Sequence, residues 1–209
     1  VLTDPAKTGA VTVCLPQDVQ GEAYDYPEEF FRKRVWYLDR QPANADAVTR
    51  AAELLMSSKK PMIVSGGGVR YSDAGEAVLA LAEEFGIPVA ETQAGKGEIS
   101  CESDWYLGCA GICGTLSANA VAKQADLILA IGTKLNDFVT NSKNGFAADA
   151  RFVSINTSRM DALKLNAESV VADAREGVEA LDAALQEHGW RTGWMPTPPV
   201  AWWWRYAGR

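Results

Sequence analysis

The residues that could do chemistry in this 209-residue chain are mostly glycines. Gly66-Gly67-Gly68 lies between an apolar run and a helical pattern. Glycines there let a backbone approach a pyrophosphate whose charge meets a helix N-terminus. Glu91 falls about where a ribose-binding acid would stand. The fingerprint GxGxxG asks for a third glycine, and that position is Tyr71, too bulky for close helix–strand packing. The plainer reading of Gly66–Gly68 is a tight turn. Gly95-Lys96-Gly97 is not a P-loop, because no Ser or Thr follows the lysine. The small residues Gly108–Thr115 and the turn Gly132-Thr133-Lys134 could together frame an extended ligand over the sheet edge. Close packing of segments is the commoner use of such residues.

The other reactive types are sparse. Cys14, Cys101, Cys109 and Cys113 form no CxxC pair, and His188 is the sole histidine. Common zinc spacings are absent, so the expectation is four reduced thiols in a cytosolic protein and no metal site. A Ser-His-Asp or Cys-His mechanism could draw only on His188. No catalytic residue is assigned.

The elements that must position these residues alternate. Asn44–Lys60 carries Val48, Ala51, Ala52, Leu55 and Met56 on one helical stripe. Pro61 stops it, and Met62–Val64 reads as a strand. Asp73 and Glu76 look like a capping box for a helix that buries Ala74, Val78, Leu81 and Phe85 and ends at Gly86. Ile87–Glu91 is a second strand, and 92–100 a loop. Gly114-Thr115 opens a third helix, then Leu127–Ile131 is the clearest buried strand. Arg151–Asn156 and Ser169–Ala172 follow, and Asp173 with Glu176 caps a last helix. Continuous apolar strands between helices predict an α/β, Rossmann-like three-layer sandwich. Its parallel sheet would have five or six strands, with helices on both faces and ligands beyond the C-terminal strand ends.

The ends differ. Val11–Pro16 reads as a strand, followed by a polar stretch to Pro42. Residues 189–209 hold five of the seven tryptophans, three prolines and no acid. The tail, with Trp202-Trp203-Trp204, is either a docking segment or non-native sequence, and the second reading is favoured. The formal net charge of −7 without a basic cluster argues against nucleic acid and anionic membrane surfaces. No apolar run is long enough to span a bilayer. No signal-peptide core is present at the N-terminus, and the missing start Met hints at an excised piece.

The segments Lys60–Val69, Phe85–Val89 and Ala125–Thr133, in that order, resemble the middle domain of thiamine-diphosphate-dependent enzymes of the acetohydroxyacid synthase type. Thr8–Val19 is similar to the strand that closes their pyrimidine-binding domain. Glu91–Gly97, Gly111–Thr115, Asn136–Thr140 and Asn156–Asn166 look most like the branch that hydrolyses a cyclic 1,2-dione in inositol degradation. The resemblance covers roughly residues 8 to 188. It implies that 1–26 closes a missing pyrimidine-binding domain, 27–43 is a linker, 44–188 is the central domain and 189–209 is a tail. It implies a parent that is a homodimer or homotetramer, using thiamine diphosphate and Mg2+ held by domains absent here. The chain itself would then be an inactive structural domain with no cofactor of its own.

Some relatives hold FAD or ADP in this domain. By resemblance, the matching positions here are Gly66, Gly67, Gly68, Gly111, Gly114, Thr115, Gly132 and Thr133. Asn156 stands where an Asp is common, which counts against a ribose or adenine site. The resemblance therefore implies a vestigial dinucleotide-like pocket. A flavin-containing synthase domain and a stand-alone nucleotide-binding module remain the alternatives.

Overall fold

The structure, a computed structural model, describes residues 1–196. The run Trp202-Trp203-Trp204 lies outside the described residues. The chain divides into two units, residues 1–39 and the remainder from Arg40.

The first unit holds one helical turn, α1 (Gln17–Gln20), and a 3-10 turn at Glu28–Phe31. None of its residues is buried. The strand expected at Val11–Pro16 does not form: that stretch is exposed and pairs with no described strand. A strand is held by ladder hydrogen bonds to a neighbour, and apolar residues alone do not supply them.

The second unit is a three-layer α/β sandwich. Its helices are α2 (Ala45–Met56), α3 (Gly67–Tyr71), α4 (Gly75–Phe85), α5 (Leu116–Ala122), α6 (Asp137–Thr140), α7 (Arg159–Ala162) and α8 (Ala174–Glu187). Its strands are β1 (Pro61–Ser65), β2 (Val89–Glu91), β3 (Tyr106–Cys109), β4 (Leu127–Ile131), β5 (Arg151–Asn156) and β6 (Glu168–Val171). All five pairings are parallel and the order is β3-β2-β1-β4-β5-β6. Winding therefore reverses between β1 and β4, the switch point of a doubly wound sheet.

Both faces of the sheet are covered, as continuous apolar strands require. Ile63, Leu127, Leu129, Ile131, Val153 and Ile155 face one core with Leu55 of α2, Leu81 of α4 and Leu181 of α8. The alternate residues Met62, Val64, Ile128 and Ala130 face a second core with Val121 and Ala122 of α5 and Phe146. The layers are unequal. Three long helices cover one face, while the short α5 and loop residues cover the other.

Several boundaries depart from expectation for local reasons. Helix α2 ends at Met56, not at Lys60. The hydroxyls of Ser57 and Ser58 donate back to the carbonyls of Leu54 and Leu55. The amides of Lys59 and Lys60 are taken by the Asp126 carboxylate, both at 2.8 Å. The capping box at Asp73 is absent. Ala74 is the N-cap, Asp73 has φ 53°, and its carboxylate instead meets the Arg175 guanidinium at 3.1 Å. The Gly66–Gly68 stretch is not a loop, since α3 starts at Gly67. Beside it, Asp173 does cap α8, accepting from Arg175 N at 3.0 Å. Its side chain also takes Arg40 and the Ser72 hydroxyl, at 3.1 and 2.7 Å.

The described part of the tail packs on the second unit. Trp190 stacks on Phe85 with ring centroids 6.1 Å apart, and Thr192 N donates to Phe85 O at 3.0 Å. Trp194 lies against the core on the α5 face.

Candidate functional site

At the switch point, the ends of β1 and β4 bring Gly66, Gly67, Gly68, Gly132 and Thr133 together. They pack on one another. Gly66 N donates to Ile131 O and Gly68 N to Gly132 O, both at 2.8 Å. A Cβ added at Gly68 would lie 2.7 Å from Gly132 Cα, and one added at Gly132 would lie 2.7 Å from Gly68 Cα. Gly132 also has φ 59°, a conformation side chains resist. Gly95 closes the knot from the next loop, its missing side chain facing Gly66 C at 2.7 Å. The backbone approach that a pyrophosphate would use is made here by neighbouring backbone.

Glu91 is fully buried at the end of β2. Its Oε1 accepts the backbone N–H groups of Gly97, Glu98 and Ile99 at 3.0, 2.8 and 2.9 Å. Its Oε2 accepts the Tyr106 hydroxyl at 2.9 Å. The ribose role considered for Glu91 is thus corrected: its oxygens are spent inside the protein, anchoring the loop that carries Lys96. Burial, and then the bond to Glu91, hold the Tyr106 phenol well above the ordinary tyrosine range. Asn156 is likewise occupied, donating to Thr133 O at 3.0 Å and accepting Ser158 N at 2.9 Å.

Gly111, Gly114 and Thr115 sit apart from this knot, in the turn after β3. The strand itself escaped the sequence pattern, being four residues long at the sheet edge with an irregular register to β2. Thr115 caps α5, accepting Ala118 N at 3.1 Å and donating to Leu107 O at 2.7 Å. Asn119 holds Gly111 through both backbone groups, at 3.0 and 2.9 Å. Gly111 has φ 101°, and its open side faces the backbone of Phe138 and Val139 in α6.

The open space lies beside this turn. A cavity of about 270 Å³ beyond β2 and β3 is lined chiefly by Gln93, Lys96, Cys109, Cys113 and Phe138. Lys96 forms no ion pair with a described residue. Burial pushes the Cys109 thiol up, with Lys96 pulling the other way. Sequence reasoning missed this grouping because the β2–β3 connection, the turn after β3 and α6 all contribute to it and no spacing links them. Among the described residues no three His, Cys, Asp or Glu side chains are grouped to hold a metal ion.

Residues 48–181 match the family model described as "Thiamine pyrophosphate enzyme, central domain". Several relatives carry the description 3D-(3,5/4)-trihydroxycyclohexane-1,2-dione hydrolase. That of Geobacillus thermodenitrificans is 53% identical over 188 residues, 90% of this chain and 29% of its own length. That of Bacillus subtilis is 51% identical over 187 residues, 89% of this chain and 29% of its own length. That of Clostridium perfringens is 47% identical over 195 residues, 93% and 30% respectively. The chain therefore spans under a third of these curated relatives. A solved structure of a thiamin diphosphate-dependent enzyme from Mycobacterium smegmatis superposes with a TM-score of 0.61 at 20% identity, over 73% of this chain and 30% of its own, a likeness of fold. With the matched model covering most of the second unit and the parallel order β3-β2-β1-β4-β5-β6 in place, the chain belongs to the thiamine pyrophosphate enzyme central-domain family.

Proposed function

We propose that this chain is the central structural domain of a cytoplasmic, thiamine-diphosphate-dependent hydrolase that opens the ring of trihydroxycyclohexane-1,2-dione in inositol degradation. The observation that carries this is the 53% identity across 90% of the chain to a protein so described. In this reading, residues 1–26 complete a pyrimidine-binding domain and 27–43 link it to the central domain at 44–188. Thiamine diphosphate and Mg2+ are held by parts of the parent outside this chain, and the parent is a homodimer or homotetramer. Among the described residues no helix is long and apolar enough to cross a membrane, which fits a cytoplasmic enzyme. The glycines Gly66, Gly68 and Gly132 are then the remnant of a dinucleotide pocket. Their mutual contacts support that reading, as does the commitment of Glu91 to its own loop.

The test compares the 209-residue chain with the longer parent protein. The chain alone is expected to show no heat of thiamine diphosphate binding in the presence of Mg2+ and no dione cleavage, while the parent turns over. Dione cleavage by this chain alone would overturn the reading. A bound flavin, seen as visible absorbance in the purified chain, would instead favour a flavin-containing synthase domain.

A further inference from the structure

Cys109 and Cys113 face the same cavity, and the backbone between them is folded back on itself. Thr115 N donates to Cys109 O at 2.7 Å, and Gly114 N donates to Gly111 O at 2.9 Å. A Cβ at Gly114 would lie 2.6 Å from Cys109 O, so the residue following Cys113 touches the Cys109 peptide. The turn is set by Gly111 at φ 101° and held by Asn119. Cys113 is exposed, whereas Cys109 is only partly exposed. Lys96 adds an ammonium group without a described ion-pair partner to the same wall, and Gln93 adds an amide.

We propose that this turn is a thiol-modification site: a low-molecular-weight disulfide such as glutathione disulfide enters the cavity, and Cys109 and Cys113 close into a disulfide. The Cys113 thiolate attacks one sulfur of the incoming disulfide. A Cys113–glutathione bond forms, the S–S bond of the reagent breaks, and one glutathione leaves as the thiolate and takes up a proton from solvent. The Cys109 thiol loses its proton to solvent as its sulfur attacks Cys113 Sγ, and the second glutathione leaves and takes up a proton. The two cysteines are oxidised and glutathione disulfide is reduced to two thiols. Lys96 faces the carboxylates of the reagent, which selects an anionic disulfide over a neutral one. The roles follow from access: the exposed sulfur is attacked from solvent, and the one deeper in the cavity resolves the mixed disulfide. A disulfide needs Cα atoms roughly 4.4–6.8 Å apart, and the Thr115–Cys109 and Gly114–Gly111 backbone bonds fold the chain between the two cysteines back on itself.

The experiment incubates the intact 209-residue chain with glutathione disulfide and reads the intact mass and the peptide map. The expected product has lost two hydrogens, with a crosslink between the peptides of Cys109 and Cys113. Cys109→Ser is expected to stop at the glutathione adduct on Cys113, and Cys113→Ser to abolish the reaction at this turn. Lys96→Gln is expected to slow oxidation by glutathione disulfide severalfold while leaving oxidation by a neutral disulfide, hydroxyethyl disulfide, unchanged. A crosslink involving Cys14 or Cys101 instead, a wild-type adduct on Cys113 that never resolves, or no reaction at either residue would each overturn the proposal. Circular dichroism of each variant separates a lost thiol from a lost fold.

Discussion

At the scale of single residues, the chain uses its chemistry-bearing side chains to hold backbone. Glu91 shows this most fully, with four hydrogen bonds on one buried carboxylate. Hydrogen bonds to a charged group are each worth about 1.5–3 kcal/mol, and stranding buried donors adds to the loss. Glu91→Gln keeps the volume but replaces one oxygen with a donor that cannot accept. It is expected to lower unfolding free energy by about 2 kcal/mol or more in urea denaturation, with enhanced amide exchange at 97–99. A loss below about 0.5 kcal/mol, the level of an ordinary surface change, would mean that the loop does not depend on the carboxylate. Glycine at the switch point gives a second comparison. Gly132→Ala must relieve both a positive φ and a Cβ 2.7 Å from Gly68 Cα, and is expected to cost about 3 kcal/mol or more. Gly193→Ala meets nothing within 4 Å and is expected to change stability by less than about 0.5 kcal/mol. Equal costs at the two positions would remove the case for a packed knot.

At the scale of elements, charges meet where α4 and α8 run together. Asp182 of α8 has its carboxyl raised above the usual aspartate range, first by burial and then by the neighbouring Glu84 of α4. The folded state therefore binds that proton more tightly than the unfolded chain does. The stabilising contribution is complete below the unfolded value and is lost as pH rises through the folded one, so at neutral pH the charge opposes folding. Asp182→Asn is expected to raise the melting temperature at neutral pH, with the gain shrinking as pH falls toward about 4, where aspartate itself protonates. A constant gain across that range would assign the effect to packing instead of charge. This scale also marks how far the sequence could be read. The stripes of α2, α4 and α8 and the runs of β1, β4 and β5 were legible because burial on one or both faces writes a period into the residue types. β3 was not, because Gly108 at φ 91° interrupts it and its register with β2 is irregular. The end of α2 was misplaced because Asp126, far along the chain, takes the amides of Lys59 and Lys60. Of the candidate site, the resemblance grouped Gly66–Gly68, Gly132 and Thr133 with Gly111, Gly114 and Thr115. The first five meet at the strand ends, while the last three lie apart in the turn after β3, so the expected pairing of Gly108–Thr115 with the Gly132–Lys134 turn is not made. The facing of Cys109, Cys113 and Lys96 was not legible, since it depends on how the β2–β3 connection and the turn after β3 fold above the sheet.

At the scale of the whole molecule, the two units differ in what they bury. The second has two apolar cores on opposite faces of six strands, and its entry residues are fastened down. Arg40 reaches the Asp173 carboxylate, and Gln41 O accepts Asp173 N at 2.9 Å. The first unit leaves Tyr24, Tyr26, Phe30, Phe31, Trp36 and Tyr37 each more than half exposed. Aromatic rings this large contribute stability only when removed from water, on the order of 25 cal/mol per Å² of apolar surface. Residues 1–39 therefore gain little stability from burial. Deleting residues 1–39 while keeping Arg40 and Gln41 is expected to leave the melting temperature within about 2 °C, because none of the deleted residues is buried and a 1 kcal/mol change would shift it by roughly 2–4 °C in a domain of this size. Limited proteolysis of the intact chain is expected to cut first within 1–39 and to spare the sheet, since cleavage requires backbone free to open. A fall of 5 °C or more on deletion, beyond the roughly 4 °C that 1 kcal/mol would produce, would show that residues 1–39 add to the stability of the remainder.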